Sequence, residues 1–140
     1  ITPEARATIA ALQERGHRLI IASCGTADLI ERILEASAIL RCFERVLGNR
    51  FVFARGGIAG MDMSVPTPRA KLRAIRAMGL APESTVAVGD GLTDIPLLKW
   101  AGIPVAIASK STKRIPWAPK GCSVITAIPQ LGDIIRRQGG

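Results

Sequence analysis

The chain has 140 residues, 48% of them hydrophobic, with 14 Gly and a formal charge of +8, enough for one domain with a buried core. Its apolar runs fall far short of the ~20 residues that cross a bilayer, so no membrane segment is expected in this chain. With no Tyr, three Phe and two Trp there are few rings to stack on bases, which argues against nucleic acid as a partner.

The positive charge is uneven. After Asp94 the only acid is Asp133, against Lys99, Lys110, Lys113, Arg114, Lys120, Arg136 and Arg137; we read this as a solvated basic face. Cys24, Cys42 and Cys122 are odd in number and lack metal-site spacing, which predicts reduced thiols in a cytoplasmic protein. No basic start followed by an apolar run opens the chain, so no export signal is expected in it. Ile1 in place of Met reads as the mark of a processed or excised segment.

In chain order, Thr2-Pro3-Glu4 predicts a helix start, with Thr as N-cap and Pro in the first turn. Ile9 and Leu12 supply its apolar face, and Gly16 ends it. His17, the only His, falls in the following turn and is given no role. Arg18 to Ser23 reads as a strand buried on both faces. It closes in Ser23-Cys24-Gly25-Thr26, and a helix is predicted over 27–36. A hydroxyl and free backbone N–H groups at a helix N-terminus make an anion site; the alternative is an N-cap by Thr26 or Ser23. Cys24 is not read as a phosphate-cradling nucleophile of the tyrosine-phosphatase kind, since the Arg needed six residues on is Ile30.

Gly48-Asn49 carries a turn signal. Arg50 to Phe53 and Ile58 to Met61, around Gly56-Gly57, predict a small β-hairpin. Val65 to Pro68 is a rigid connector into a helix over 69–78, stopped by Gly79. Lys71 lies in its first turn, where a cation opposes the helix dipole. Strands are then predicted over 85–89 and 102–108, and at the sheet edge over 122–125. A polar, Pro-containing segment with room for one helical turn spans 109–121. A helix over 128–137 closes the domain, 1–138, and Gly139-Gly140 form a flexible tail. The alternation of strand and helix argues for a parallel sheet covered on both faces.

The chemistry concentrates in Thr85-Val-Ala-Val-Gly-Asp-Gly-Leu-Thr-Asp94: a short apolar strand stopping at Gly89, two acids on a Gly-containing turn, and a helix opening at Ile95-Pro96-Leu97. In open α/β sheets, ligands bind outside the carboxyl ends of strands, and acids there suit Mg²⁺, which takes oxygen ligands and keeps several waters. As scaffold alone, Asp90 would be a turn residue and Asp94 a helix cap. That leaves a second acid at the strand end without a reason. A dinucleotide site at Gly89-Asp90-Gly91 lacks the third Gly and sets a carboxylate where pyrophosphate would lie.

Ile21-Ala-Ser23, Pro68-Arg-Ala-Lys71 and Val88-Gly-Asp-Gly-Leu-Thr-Asp94, in this order and spacing, resemble the second, third and fourth motifs of the haloacid dehalogenase (HAD) superfamily of phosphohydrolases. The Asn49-Arg50 step and the Gly-rich hairpin are similar to its phosphoserine-phosphatase-like branch, although Thr93 stands where that branch often has Asn. The resemblance implies an α/β, HAD-like (Rossmannoid) three-layer sandwich with a mostly parallel sheet and a small β-hairpin. It implies a Mg²⁺-dependent phosphomonoesterase acting on a small phosphorylated substrate. By resemblance Asp90 is a Mg²⁺ ligand, and Lys71 neutralises the transferring phosphoryl group. Ser23 with the Cys24-Gly25 backbone holds the phosphoryl oxygens, and Asp94 orients water or Lys71.

The family's first motif, an Asp-x-Asp on the central strand, should precede Ser23, yet the only acids there are Glu4 and Glu14. The expectation is therefore a C-terminal part, inactive alone, whose nucleophile, first strand and cap lie in an upstream segment or a second chain. Two other readings stand beside it: a non-catalytic relative that binds an anion or a partner, and, ranked lower, the phosphorylation domain of a P-type ion pump.

Overall fold

The computed structural model describes residues 1–108 and 115–139. Its main elements are α1 (Pro3–Glu14), β1 (Ile20–Thr26), α2 (Ala27–Ala36), β2 (Arg45–Ala54), β3 (Gly57–Asp62), α3 (Pro68–Arg76), β4 (Val86–Gly89), α4 (Ile95–Trp100), β5 (Ile103–Ile107), β6 (Ser123–Ile125) and α5 (Leu131–Gly139). Thr2 caps α1 and Thr67 caps α3, each hydroxyl accepting from a backbone N–H 3.1 Å away, with Pro in the first turn of both helices. The first is the helix start expected from the sequence; the second lies in the stretch expected as a rigid connector, whose Pro68 instead opens α3.

The strands form two three-stranded ladders, β1-β2-β3 and β4-β5-β6. β1 and β2 are parallel, β2 and β3 antiparallel, and β4, β5 and β6 all parallel. β4 is covered on both sides: Ala87 packs with Leu98 and Ala101, while Val86 and Val88 pack against the cluster of Val105, Ile125 and Leu131. Ile21 and Val46 meet Ala27 and Leu34 of α2, and α3 lies over β1, β2 and α4. Helices thus flank the strands in the three-layer α/β arrangement that the alternation predicts. Arg18 ties the start of β1 to that of β2 through two hydrogen bonds to Glu44, of 2.7 and 2.6 Å. The Arg18 guanidinium holds the Glu44 carboxyl below its ordinary range.

Several boundaries differ from expectation. Gly48-Asn49 is not a turn: β2 runs through it without a break, pairing first with β1 and then with β3. Gly48 is pressed against the start of α2, where an added Cβ would lie 3.1 Å from the Ala27 nitrogen; Asn49 is buried. β1 continues past Ser23 to Thr26, with an irregular register between Ala22 and Thr26. The last helix begins at Leu131 after a 3-10 turn over Ile128–Gln130, and it includes Gly139, one residue of the expected tail. The expected polar segment lies partly outside the described residues, which omit 109–114, as does Gly140.

Candidate active site

The carboxyl ends of β1 and β4 border one open cleft of about 350 Å³, lined by Ser23, Cys24, Gly25, Lys71, Asp90 and Asp94 among others. All six sequence-predicted site residues are therefore brought together, from segments separated by up to 71 positions in the chain. Thr93 and Gly89 also reach the wall.

Each side chain is delivered by a local device. Lys71 projects from the first turn of α3 and is 4% exposed. An ammonium so placed opposes the helix dipole and loses hydration, and the compensation is a buried ion pair with the Asp94 carboxylate. The other oxygen of Asp94 accepts from the Asp90 N–H at 2.9 Å and the Gly91 N–H at 3.3 Å. Asp94 is thus not the simple N-cap of α4, where its side chain makes no capping bond. It locks the turn after β4 and holds the ammonium. Gly89 makes room for this: a Cβ there would come within 2.8 Å of the Asp94 carboxyl carbon.

Asp90 is exposed and borders the cleft. On the opposite wall, the Ser23 oxygen accepts from the Gly25 N–H at 2.9 Å. The Gly25 amide, expected as an anion donor, is therefore turned back onto Ser23, while the Ser23 O–H remains to donate. Thr26 stands at the N-cap of α2 without a side-chain cap, so neither N-cap reading of this turn holds.

Among the described residues no group of three or more His, Cys, Asp or Glu side chains could hold a metal ion. The donor set still fits Mg²⁺ in part. That cation commonly takes one or two carboxylates, with water and substrate phosphate completing its shell, and Asp90 is one hard oxygen donor at the open cleft. Sequence reasoning missed the packing role of Gly89, which no local pattern announces because its partner is a side chain five residues on.

A family model of haloacid dehalogenase-like hydrolases matches residues 1–102. The phosphoserine phosphatase of Halobacterium salinarum is 27% identical over 136 residues, covering 94% of this chain and 61% of the relative. That of Methanocaldococcus jannaschii is 32% identical over 117 residues, covering 79% and 54%. The chain thus spans roughly half to three-fifths of the length of these curated relatives. Among solved structures, a substrate-bound phosphoserine phosphatase complex superposes with a TM-score of 0.71 at 25% identity, covering 94% of this chain and 61% of the other. A probable phosphoserine phosphatase from Vibrio cholerae, at 20% identity, shares the fold with a TM-score of 0.77 over 99% of this chain and 42% of its own. With a family model spanning residues 1–102 and relatives that are mostly phosphoserine phosphatases, this chain belongs to the haloacid dehalogenase-like hydrolases, in their phosphoserine-phosphatase-like branch.

Proposed function

We propose that this chain supplies the phosphate-holding half of a Mg²⁺-dependent phosphomonoester hydrolase acting on a small phosphorylated substrate. A segment outside these 140 residues, in the same chain or a second one, brings the nucleophilic carboxylate. The observation that carries this is the Lys71–Asp94 ion pair, which holds an ammonium in the same cleft as Ser23 and Asp90.

The roles follow from charge. A carboxylate approaching a phosphate dianion is repelled, so catalysis of phosphoryl transfer is mostly positioning and electrostatic stabilisation. Lys71 neutralises the phosphoryl oxygens, and Asp94 fixes the direction of its ammonium. The Ser23 hydroxyl and the Cys24 backbone hold those oxygens from the opposite wall. Asp90 would hold the Mg²⁺, which when bound adds positive charge beside the phosphoryl group. Free cysteines at positions 24, 42 and 122 fit the reducing cytoplasm in which we place the protein.

The test uses a preparation that includes the completing Asp-x-Asp segment, in cis or as a second chain. It should hydrolyse p-nitrophenyl phosphate with Mg²⁺ and lose activity in EDTA, and Asp90→Ala should lower turnover roughly a hundredfold or more with an unchanged melting curve. Undiminished turnover in that variant removes Asp90 from the mechanism. Tight phosphate binding without turnover in the completed protein favours the non-catalytic anion-binding reading, for which the exposed cleft with Lys71 and Ser23 would suffice.

A further inference from the structure

We propose that Asn49, which does not line the cleft, is a positioning residue that sets the distance between the Ser23–Gly25 turn and the helix carrying Lys71. The inference rests on reading the cleft as a phosphate site.

The register of β1 on β2 is the starting point. Ile20, Ile21 and Ala22 pair with Arg45, Val46 and Leu47, and pairing resumes at Thr26 with Asn49. Four steps on β1 therefore match two on β2, and Ser23, Cys24 and Gly25 arch away from the ladder toward the cleft. An arch of this kind leaves backbone groups without ladder partners, and a buried one costs about 1–3 kcal/mol if left unmade.

Asn49 fills that need. Its side-chain nitrogen donates to the Cys24 carbonyl at 2.9 Å and to the Val65 carbonyl at 3.2 Å, and its oxygen accepts from the Val65 N–H at 2.8 Å. Asn49 is 2% exposed and Val65 3% exposed, so water does not substitute for the two bonds to Val65. Val65 lies two residues before Thr67, the cap of α3, and six before Lys71. One amide thus clamps both walls of the anion site to the same strand. There is no slack behind the turn, because a Cβ on Gly48 would lie 3.2 Å from the Gly25 carbonyl oxygen. Only a side chain with two donors and one acceptor at this reach fits: Asp lacks the donors, and Gln is a methylene too long.

Three measurements on the chain test this. Inorganic phosphate is titrated by NMR, following the Cys24, Gly25 and Lys71 amides, into the parent, Asn49→Ala, and a core control, Leu12→Ala, which weakens a buried contact of α1. The expected result is about tenfold weaker phosphate binding in Asn49→Ala, with the control within twofold of the parent. Hydrogen exchange at the Val65 amide should accelerate at least about tenfold in Asn49→Ala and stay within a fewfold in Asn49→Asp, which keeps the acceptor. In the parent itself, saturating phosphate should slow Val65 exchange, since coupling between two sites is reciprocal; this reading stands even if neither variant folds. Equal phosphate affinity in folded Asn49→Ala, equal weakening in Leu12→Ala, or a Val65 amide indifferent to phosphate overturns the proposal. A parent that binds no phosphate sinks the phosphate-site reading instead, and unchanged Val65 exchange in Asn49→Ala then overturns the clamp on its own.

Discussion

A lysine in the first turn of a helix is a small electrostatic error, and among the described residues Lys71 is the one such error that is buried. Its side chain is 5% exposed and that of its partner, Asp94, 10%. Removing one member of a buried ion pair strands the other, at a cost of about 3–5 kcal/mol, whereas removing both costs much less. Lys71→Met and Asp94→Asn should therefore each destabilise by about that amount in urea unfolding, and the double variant by clearly less than their sum; additive losses would show that the two charges are solvated separately. Gly89 tests the same geometry from behind. Its missing Cβ is what lets the Asp94 carboxylate reach the Asp90 and Gly91 amides, so Gly89→Ala should cost about 1–3 kcal/mol through overpacking. At this scale the sequence was legible where a residue is chemically out of place. Asp90 stood out because a second acid at the strand end has no structural reason once Asp94 is taken as a cap, whereas Lys71 and Ser23 gained weight from their order and spacing relative to it. The bonding role of Asn49 was not legible, because its bonds reach across 25 and 16 positions and no short pattern encodes such a partner.

Between elements, the misread turn at Gly48-Asn49 is the instructive case. A Gly-Asn step scores as a turn from local conformational preference, and here tertiary packing overrides it. Gly48 is used for its small size, letting β2 pass against the start of α2, and Asn49 is used for its amide. The hairpin beyond is anticipated because its signal is local, although its turn falls one residue before the expected Gly56-Gly57: Arg55 and Gly56 both adopt positive φ, 51° and 79°, which suits the tight connection of β2 to β3, and Gly57 opens β3. Its base is tied to α2, where Asp28 accepts from the Phe51 N–H at 2.7 Å and Arg50 reaches Glu31. Two glycines, Gly48 in the part of β2 beside α2 and Gly60 in the hairpin, should therefore respond in opposite ways. Gly48→Ala meets backbone atoms at 3.1 and 3.2 Å and should destabilise by about 1–3 kcal/mol. Gly60→Ala meets nothing within 4 Å and should be neutral or stabilising by up to about 1 kcal/mol, as expected for Ala over Gly inside a strand. Matched urea denaturation curves decide between them. An equal loss at both positions would mean that strand propensity, not the contact with α2, governs this region.

For the whole molecule, strand and helix alternation is enough to predict a parallel α/β layer, because each buried strand must be covered and each crossover helix is a cover. What it does not predict is continuity. The described strands divide into two ladders, in which β1 and β4 are both terminal, and the cleft lies where their carboxyl ends meet. A terminal parallel strand of buried character presents unpaired N–H and C=O groups, which are a template for pairing with another chain. Charge opposes that pairing: at +8 two copies repel, over a range of about 10 Å at 0.1 M salt and about 3 Å at 1 M. The two effects together make a signed prediction. The isolated chain should sediment as a monomer at low salt and low concentration, and its weight-average sedimentation coefficient should rise with concentration more steeply as NaCl is increased. Association that weakens with salt would place oppositely charged surfaces, not strand edges, at the contact. A monomer at every concentration and ionic strength would show that the edges of β1 and β4 are already shielded.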